Sequence, residues 1–206
     1  MLKIEKLSFS YGNEQIIRDF SLTLPKNGVF AIMGPSGCGK STLFALISGL
    51  LKPSSGNIRL ETERLAFAFQ DARLMPWMTA EENVNFVLGG KKTTLVKAKK
   101  ALADVGLEAA SDKYPHELSG GMQKRVSLAR AFVCESDFIL LDEPFSGLDL
   151  ETKSGIIEKI KEIGKKSLVL LITHDIGEAN DCAEKIFDFR ELNKNPTAND
   201  MHLKSV

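Results

Sequence analysis

Apolar and polar residues follow two different periods along this chain of 206 residues. Between residues 2 and 24 apolar side chains alternate with polar ones, a pattern typical of strands with one buried face, and a turn is predicted at residues 11–13. The segments 29–33, 138–141 and 167–173 are instead almost continuously apolar, which is typical of parallel strands buried on both faces. Extended structure is also predicted from residue 58 to residue 69.

A helical period replaces these patterns from about residue 79 to residue 132. Leu95, Ala98, Leu102 and Val105 recur at intervals of three and four residues, which predicts one buried helix face. A second stripe, in residues 156–163, predicts a helix between two of the apolar strands. Strands that alternate with helices favour a parallel sheet covered on both sides, where ligands bind at the carboxyl ends of the strands.

A glycine-rich loop connects the apolar run at residues 29–33 to a predicted helix. Its sequence matches the phosphate-loop spacing GxxxxGK[ST], in which backbone N–H groups and the helix N-terminus surround a polyanion. Lys40 can bridge the β- and γ-phosphates, and the Ser41 hydroxyl can bind Mg²⁺. The predicted phosphate-binding residues are Gly34, Pro35, Ser36, Gly37, Cys38, Gly39, Lys40, Ser41 and Thr42.

The phosphate loop and the pattern of elements together predict an α/β fold of the P-loop NTPase (RecA-like) type. We expect a parallel-sheet core with an N-terminal antiparallel β subdomain and an inserted α-helical subdomain. The whole chain, 1–206, is expected to be a single nucleoside-triphosphate-binding domain. Residues 1–78 and 134–192 would form the nucleotide-binding core with the β subdomain, residues 79–133 the helical subdomain, and residues 193–206 a poorly ordered polar tail.

Two acidic residues directly follow the apolar strand at residues 138–141. A carboxylate at this position can hold Mg²⁺ against the phosphates, and a second can orient or deprotonate water. We therefore assign Asp142 to the metal and Glu143 to the water.

A second site for an anion is predicted at the start of a helix near residue 120. Ser119 is a plausible helix N-cap, and Gly120 and Gly121 expose backbone N–H groups at the positive end of the helix dipole. Here the chain resembles the ATP-binding cassette (ABC) ATPases, whose signature is LSGGQ. Met122 replaces the glutamine of that signature, and the Ser-Gly-Gly segment is intact.

The resemblance extends over nearly the whole chain. Tyr11 is similar to the aromatic residue that stacks on adenine, and Gln70 to the glutamine that senses Mg²⁺ and water. His174 resembles the switch histidine near the γ-phosphate, and residues 146–149 match the D-loop. The resemblance implies a head-to-tail dimer with two bound ATP molecules, each held by the phosphate loop of one subunit and by Ser119 and Gly121 of the other.

Composition narrows the class of partner. The chain has 27 basic and 27 acidic residues, so no bias toward nucleic acid is visible. Its three cysteines match no metal spacing and indicate a reducing, cytoplasmic compartment. No apolar stretch approaches the ~18 residues needed to cross a bilayer, and residues 1–25 lack a signal-peptide pattern, so any membrane crossing is expected in another chain.

The segment from Gln70 to Thr79 is apolar, stiffened by proline, and carries the sole tryptophan. It is interpreted as a protein contact rather than a core strand. It resembles the ATPase subunits of nitrate, sulfonate and taurine importers. That resemblance implies import of a small anion through separate membrane-spanning permease subunits, contacted through this segment. It also implies an external solute-binding protein and a location on the inner face of the cell membrane.

Other functions remain open from the residues alone. A regulatory GTPase is discarded, because it would need an NKxD-type guanine reader whose acid is replaced by Pro196, and because it would leave the Ser-Gly-Gly segment unexplained. A soluble cassette ATPase acting on DNA or ribosomes, and the ATPase subunit of an exporter, are the alternatives.

Overall fold

A computed structural model of the protein describes residues 1–193, which form two sheets and a helical layer. The strands are β1 (Leu2–Tyr11), β2 (Glu14–Leu24), β3 (Gly28–Met33), β4 (Ser55–Leu60), β5 (Leu65–Ala68), β6 (Phe138–Asp142), β7 (Leu168–Ile172) and β8 (Lys185–Asp188). The helices are α1 (Lys40–Ile47), α2 (Ala80–Phe86), α3 (Leu95–Ala103), α4 (Gly120–Val133), α5 (Leu150–Gly164), α6 (Ile176–Cys182) and α7 (Phe189–Leu192).

The first sheet is antiparallel, with the strand order β2-β1-β4. Its apolar side chains alternate with polar ones, so one face packs against the core and the other faces solvent. β1 and β2 form a hairpin in which Tyr11 pairs with Glu14. The predicted N-terminal antiparallel subdomain is therefore confirmed.

The second sheet is parallel and has the strand order β5-β6-β7-β3-β8. Every residue of β6 and β7 is buried, as the continuous apolar runs predict. The extended segment predicted at residues 58–69 is divided between the two sheets: β4 ends at Leu60, and β5 begins at Leu65 beside β6. In the parallel sheet all five carboxyl ends lie along one edge, which places the residues that follow them side by side.

The helical layer is formed by α2, α3 and α4, which pack on one another, and α4 also packs on β5. Buried residues of these helices, such as Val84, Leu102 and Val126, belong to the same apolar cluster as Ile139 and Leu141 of β6. The helical insertion is thus anchored on one face of the parallel sheet. The lysines of this region face solvent, at positions 91, 92, 97, 99 and 100.

The C-terminal end of the described chain packs beside the first sheet. Asn193, which the sequence pattern assigns to the polar tail, is buried, and its side chain binds two main-chain groups of β2. It accepts from the N–H of Arg18 at 2.8 Å and donates to the carbonyl of Ile16 at 2.9 Å. Tertiary hydrogen bonds therefore hold Asn193, and the rest of the tail predicted at 193–206 lies outside the described residues.

Among residues 1–193, every helix falls short of the length and apolar character that a membrane crossing requires.

Candidate nucleotide site

The phosphate loop lies between β3 and α1, as predicted. Gly39, the N-cap of α1, has a φ of 107°, and a Cβ added there would lie 2.6 Å from Cγ2 of Ile16. Only glycine therefore fits both the backbone and the space at this position. The contact also places the β1–β2 hairpin directly beside the loop.

Lys40 spans the inside of this loop. Its side chain is buried, and the ammonium donates hydrogen bonds of 2.8 Å to the carbonyls of Gly34 and Pro35. The Sγ of Cys38 lies 3.8 Å from Nζ. The loop thus positions a cation at its centre, where a triphosphate would need one.

Asp142 ends β6 and is almost fully buried, at 4 % exposure. Burial raises the pKa of its carboxyl group, while a hydrogen bond with the Ser41 side chain and the charges of Lys124 and Lys40 act in the opposite direction. The structure therefore brings the hydroxyl and the acid that were both assigned to Mg²⁺ to the same place, although they are far apart in the sequence.

The Oδ1 atom of Asp142 is buried and has no hydrogen-bond partner among the described residues. An unpaired buried carboxylate oxygen is costly unless a cation or water satisfies it. No group of three or more acidic, histidine or cysteine side chains within residues 1–193 could hold a metal alone. The unpaired oxygen fits Mg²⁺, which binds through one or two protein oxygens together with substrate phosphates.

Glu143 and His174 lie together at the next positions along the edge. His174 Nδ1 is 2.9 Å from Glu143 Oε2, and the N–H of Glu143 donates to the carbonyl of Ile172 at 3.0 Å. The backbone of Glu143 has a φ of +47°, an uncommon value for a residue with a side chain. Two residues from different strands are thus held in one hydrogen-bonded pair at the carboxyl ends of β6 and β7.

The two remaining residues predicted for this side of the site follow β5 and β1. Gln70 comes two residues after the end of β5, the neighbour of β6, and its side chain is exposed. Tyr11 ends β1, with its exposed ring packed edge-on against Phe9 at 4.8 Å between centroids. The hairpin that carries Tyr11 is the one that contacts the phosphate loop.

The signature segment starts α4 in the manner that the sequence predicts. The Ser119 hydroxyl accepts a hydrogen bond from the N–H of Met122 at 3.3 Å, so Ser119 is the N-cap. Ser119 and Gly120 are exposed, which leaves the helix N-terminus accessible.

Gly121 has a packing role that the sequence did not reveal. A Cβ added there would lie 2.6 Å from the carbonyl oxygen of Gly147, a backbone atom that cannot swing away. The signature helix and the segment 146–149 therefore touch within one chain, and only glycine permits this approach.

Sequence reasoning also missed Lys124 and Asn83. Lys124 is 5 % exposed and donates to three main-chain carbonyls, while burial lowers the pKa of its ammonium group. Asn83 is fully buried and makes four side-chain hydrogen bonds to residues 75–79. No local spacing marks either residue, since all these partners lie outside the helix that carries them.

The parallel sheet, the phosphate loop and the acids at the strand ends define a P-loop nucleoside triphosphatase. The chain belongs to the ABC transporter family, whose sequence model matches residues 17–146, and it is an ATP-hydrolysing subunit of that family.

Curated relatives share 38–40 % of their residues with this chain over most of its length. The Ergothioneine transport ATP-binding protein EgtV of Helicobacter pylori (strain G27) is 38 % identical, over 93 % of this chain and 98 % of the relative. The Taurine import ATP-binding protein TauB of Escherichia coli O157:H7 is 40 % identical, over 87 % and 75 %. The Aliphatic sulfonates import ATP-binding protein SsuB 2 of Paraburkholderia xenovorans (strain LB400) is 40 % identical, over 92 % and 76 %.

Solved structures support the same fold. The bacterial ABC transporter cassette MJ0796, solved as a dimer, superposes with a TM-score of 0.85 at 28 % identity, covering 91 % of this chain and 94 % of the cassette. The cbiO1 protein of Clostridium perfringens, part of an ABC transporter complex, gives 0.77 at 30 % identity, over 91 % and 83 %.

Proposed function

We propose that this chain powers the import of a small anion, such as nitrate, a sulfonate or taurine, through separate membrane-spanning subunits. The observation that carries the proposal is the meeting of Lys40, Asp142, Glu143 and His174 at one sheet edge in a chain similar to sulfonate and taurine import ATPases. These residues supply a phosphate clamp, a metal ligand and a water-orienting pair, which together are the parts needed for ATP hydrolysis.

The phosphates of ATP would lie in the loop 34–42, with Lys40 between the β- and γ-phosphates. Tyr11 would stack on adenine, since its ring is exposed on the hairpin beside the loop. Bound Mg²⁺ would neutralise charge developing on the phosphates. Ser41, Gln70 and Asp142 would hold it, and the unpaired Oδ1 of Asp142 supports that assignment.

Glu143 would orient and deprotonate the attacking water, and His174 would fix the Glu143 carboxylate and contact the γ-phosphate. The 2.9 Å contact between the two side chains supports this division of roles. A carboxylate whose position depends on a second side chain can act as a base only when both are in place.

The site of one chain is proposed to be completed by a second copy. Ser119, Gly120 and Gly121 stand at an accessible helix N-terminus and would cover the ATP held by the partner's phosphate loop. The superposition on a cassette that was solved as a dimer supports this head-to-tail arrangement.

The membrane-spanning subunits are proposed to bind the segment from Gln70 to Thr79. Its tryptophan, Trp77, is 71 % exposed, so the segment is not a core element of this chain. A large exposed aromatic residue on a braced loop is typical of a protein contact. The complex would lie on the inner face of the cell membrane and receive its solute from an external solute-binding protein.

A second candidate solute comes from the relative that matches over nearly its whole length. EgtV is named for ergothioneine transport, and the match covers 98 % of it, against 75 % of the taurine protein and 76 % of the sulfonate protein. Ergothioneine would then take the place of the anion as cargo.

The test is purification of the tagged chain from detergent-solubilised native membranes. We expect a membrane-spanning partner to co-purify, and the complex in liposomes to hydrolyse ATP and accumulate one of the named solutes. Uptake assays with nitrate, taurine, an alkanesulfonate and ergothioneine separate the candidates. Recovery only with ribosomes or DNA would refute the transport role.

A further inference from the structure

Lys124 occupies a position that joins three parts of the molecule. Its ammonium donates to the carbonyl of Phe69 at 3.0 Å, to that of Gln70 at 3.0 Å and to that of Asp142 at 2.8 Å. Three donors meet three acceptors, so the hydrogen-bonding capacity of the ammonium is used completely. The first two carbonyls start the loop after β5, and the third ends β6.

The Lys124 ammonium is buried, so it depends on these particular hydrogen-bond partners. At 5 % exposure, water cannot replace the carbonyls, and a buried charge is tolerated only where hydrogen bonds and nearby opposite charges compensate it. The acids at Asp142, Glu143 and Asp71 lie close enough to interact with it electrostatically. The side chain is therefore held in one arrangement rather than sampling several.

Lys124 lies near the N-terminus of α4, the helix that begins with the signature segment. Lys124 lies five residues after Ser119, the N-cap of the signature helix, so it is in the second turn of that helix. A displacement of the helix N-terminus is transmitted through its rigid backbone to the ammonium. Through its hydrogen bonds, the ammonium passes this displacement to the main chain of both Gln70 and Asp142.

We propose that Lys124 is a positioning residue that couples the signature helix to the metal and water groups of the same chain. It sets the separation between the start of the Gln70 loop and the end of β6, without touching nucleotide. The inference deepens the proposed ATPase function and depends on it for its kinetic part.

A second cation on α4 offers an internal comparison. The guanidinium of Arg130 donates to the carbonyls of Ala72 and Arg73 at 3.0 Å each, so it also holds the loop after β5. None of the hydrogen bonds found for Arg130 reaches β6. Loss of Arg130 should loosen the loop alone, whereas loss of Lys124 should loosen both the loop and the end of β6.

The test compares Lys124→Met, which removes all three donors at similar length, with Lys124→Gln, which restores part of them. Lys100→Met, at an exposed lysine of α3, is the matched control, and Arg130→Met is the comparison. Amide hydrogen exchange of segments 69–75 and 140–145 is followed in the full chain without nucleotide. ATP turnover is measured in the membrane complex.

For Lys124→Met we expect exchange in both segments to rise by about 5-fold or more, and kcat to fall on the order of 10- to 100-fold. The KM for ATP should stay within about 3-fold, because Lys40 and the phosphate loop are untouched. Lys124→Gln should be intermediate, Arg130→Met should raise exchange only in 69–75, and Lys100→Met should match the wild type.

Two results would overturn the proposal: unchanged exchange at 140–145 in Lys124→Met, or a kcat within 2-fold of wild type. If Lys124→Met does not fold, the same two criteria apply to Lys124→Gln, whose amide keeps two N–H donors. Because exchange is measured without ATP, failure of the ATPase function and failure of the coupling are distinguished.

Discussion

His174 Nδ1 lies 2.9 Å from Glu143 Oε2, so a histidine after β7 and an acid after β6 form one unit. The N–H of Glu143 is bound in turn to the carbonyl of Ile172, which fixes the backbone on both strands. The side chain that we assign to water is thus oriented by its neighbour strand rather than by its own. This relationship makes the chemistry of Glu143 directly testable.

Replacing Glu143 by glutamine keeps the size of the side chain and a hydrogen bond to His174 but removes the base. We expect kcat for ATP to fall by about 10²- to 10⁴-fold, the usual contribution of a general base, with ATP affinity nearly unchanged. The variant should also accumulate as an ATP-stabilised dimer. Single-turnover assays and size-exclusion chromatography with and without ATP measure both effects, and wild-type turnover in the variant would remove Glu143 from the mechanism.

Ser119→Arg places a bulky side chain at the accessible start of α4. ATP binding to a single chain should persist, because Lys40 and the loop 34–42 are unaltered, while turnover should be lost. A mixture of Ser119→Arg with Lys40→Ala tests the sharing directly, since a head-to-tail dimer of the two retains one intact site and should recover part of the activity. Absence of any recovery, with mixed dimers demonstrated by crosslinking, would contradict the shared site.

Gly121→Ala introduces a methyl group 2.6 Å from the carbonyl oxygen of Gly147. We expect a loss of stability of about 1–3 kcal/mol, because α4 and the segment 146–149 must move apart. Gly120→Ala is the matched control: nothing lies within 4 Å of its added Cβ. Thermal unfolding of both variants measures the loss. Equal melting temperatures would show that the close approach of Gly121 to Gly147 does not limit folding stability.

Asn83 braces residues 75–79, in the segment that we propose contacts the membrane-spanning subunits. Its side chain accepts from the N–H of Met75 and donates to three carbonyls in residues 75–79. Asn83→Ala removes the partner of the Met75 N–H and of the Met78 carbonyl, whereas the Met75 and Thr79 carbonyls keep main-chain hydrogen bonds. The change should cost about 2–3 kcal/mol of folding stability. Because Trp77 is the sole tryptophan, its fluorescence should become more sensitive to acrylamide quenching. Asn180→Ala, at an exposed position of α6, should change neither quantity.

The three cysteines should differ in reactivity. Burial raises the pKa of Cys38 and Cys134, and that of Cys182 to about 12, so the reactive thiolate forms only as pH rises toward these values. At pH 8 we expect slow alkylation of Cys38 and Cys134 and none of Cys182 in the folded protein. ATP should protect Cys38, which lies in the phosphate loop, and leave Cys134 unaffected. Peptide mass spectrometry measures each rate, and equal protection of Cys134 would contradict the assigned location of ATP.

Much of the site could be predicted because its parts are local in sequence. The phosphate loop needs only a strand, a glycine-rich turn and a helix in succession, and all three are visible in residues 29–47. Asp142, Glu143 and His174 each follow an apolar run. Since parallel strands share the direction of their carboxyl ends, placing these residues at strand ends also placed them near one another.

The segment 58–69 shows where local patterns fail. Its extended character is correct, but its division between β4 and β5, in two different sheets, depends on which strands they pair with. Pairing partners lie far away in the chain, and β-propensity does not specify them.

By itself, the sequence determined the order of the elements, the phosphate loop, the acids and the signature segment, since each depends on short-range spacing and backbone preference. Only the tertiary structure decided that Lys124 is a buried link, that Gly121 must approach Gly147, and that Asn193 is bound to the main chain of β2. A lysine in a helix, a glycine in the first turn of a helix and a polar residue in a polar tail have common local explanations. The partners that give them other roles lie 18 to 177 residues away and meet them only when the chain folds.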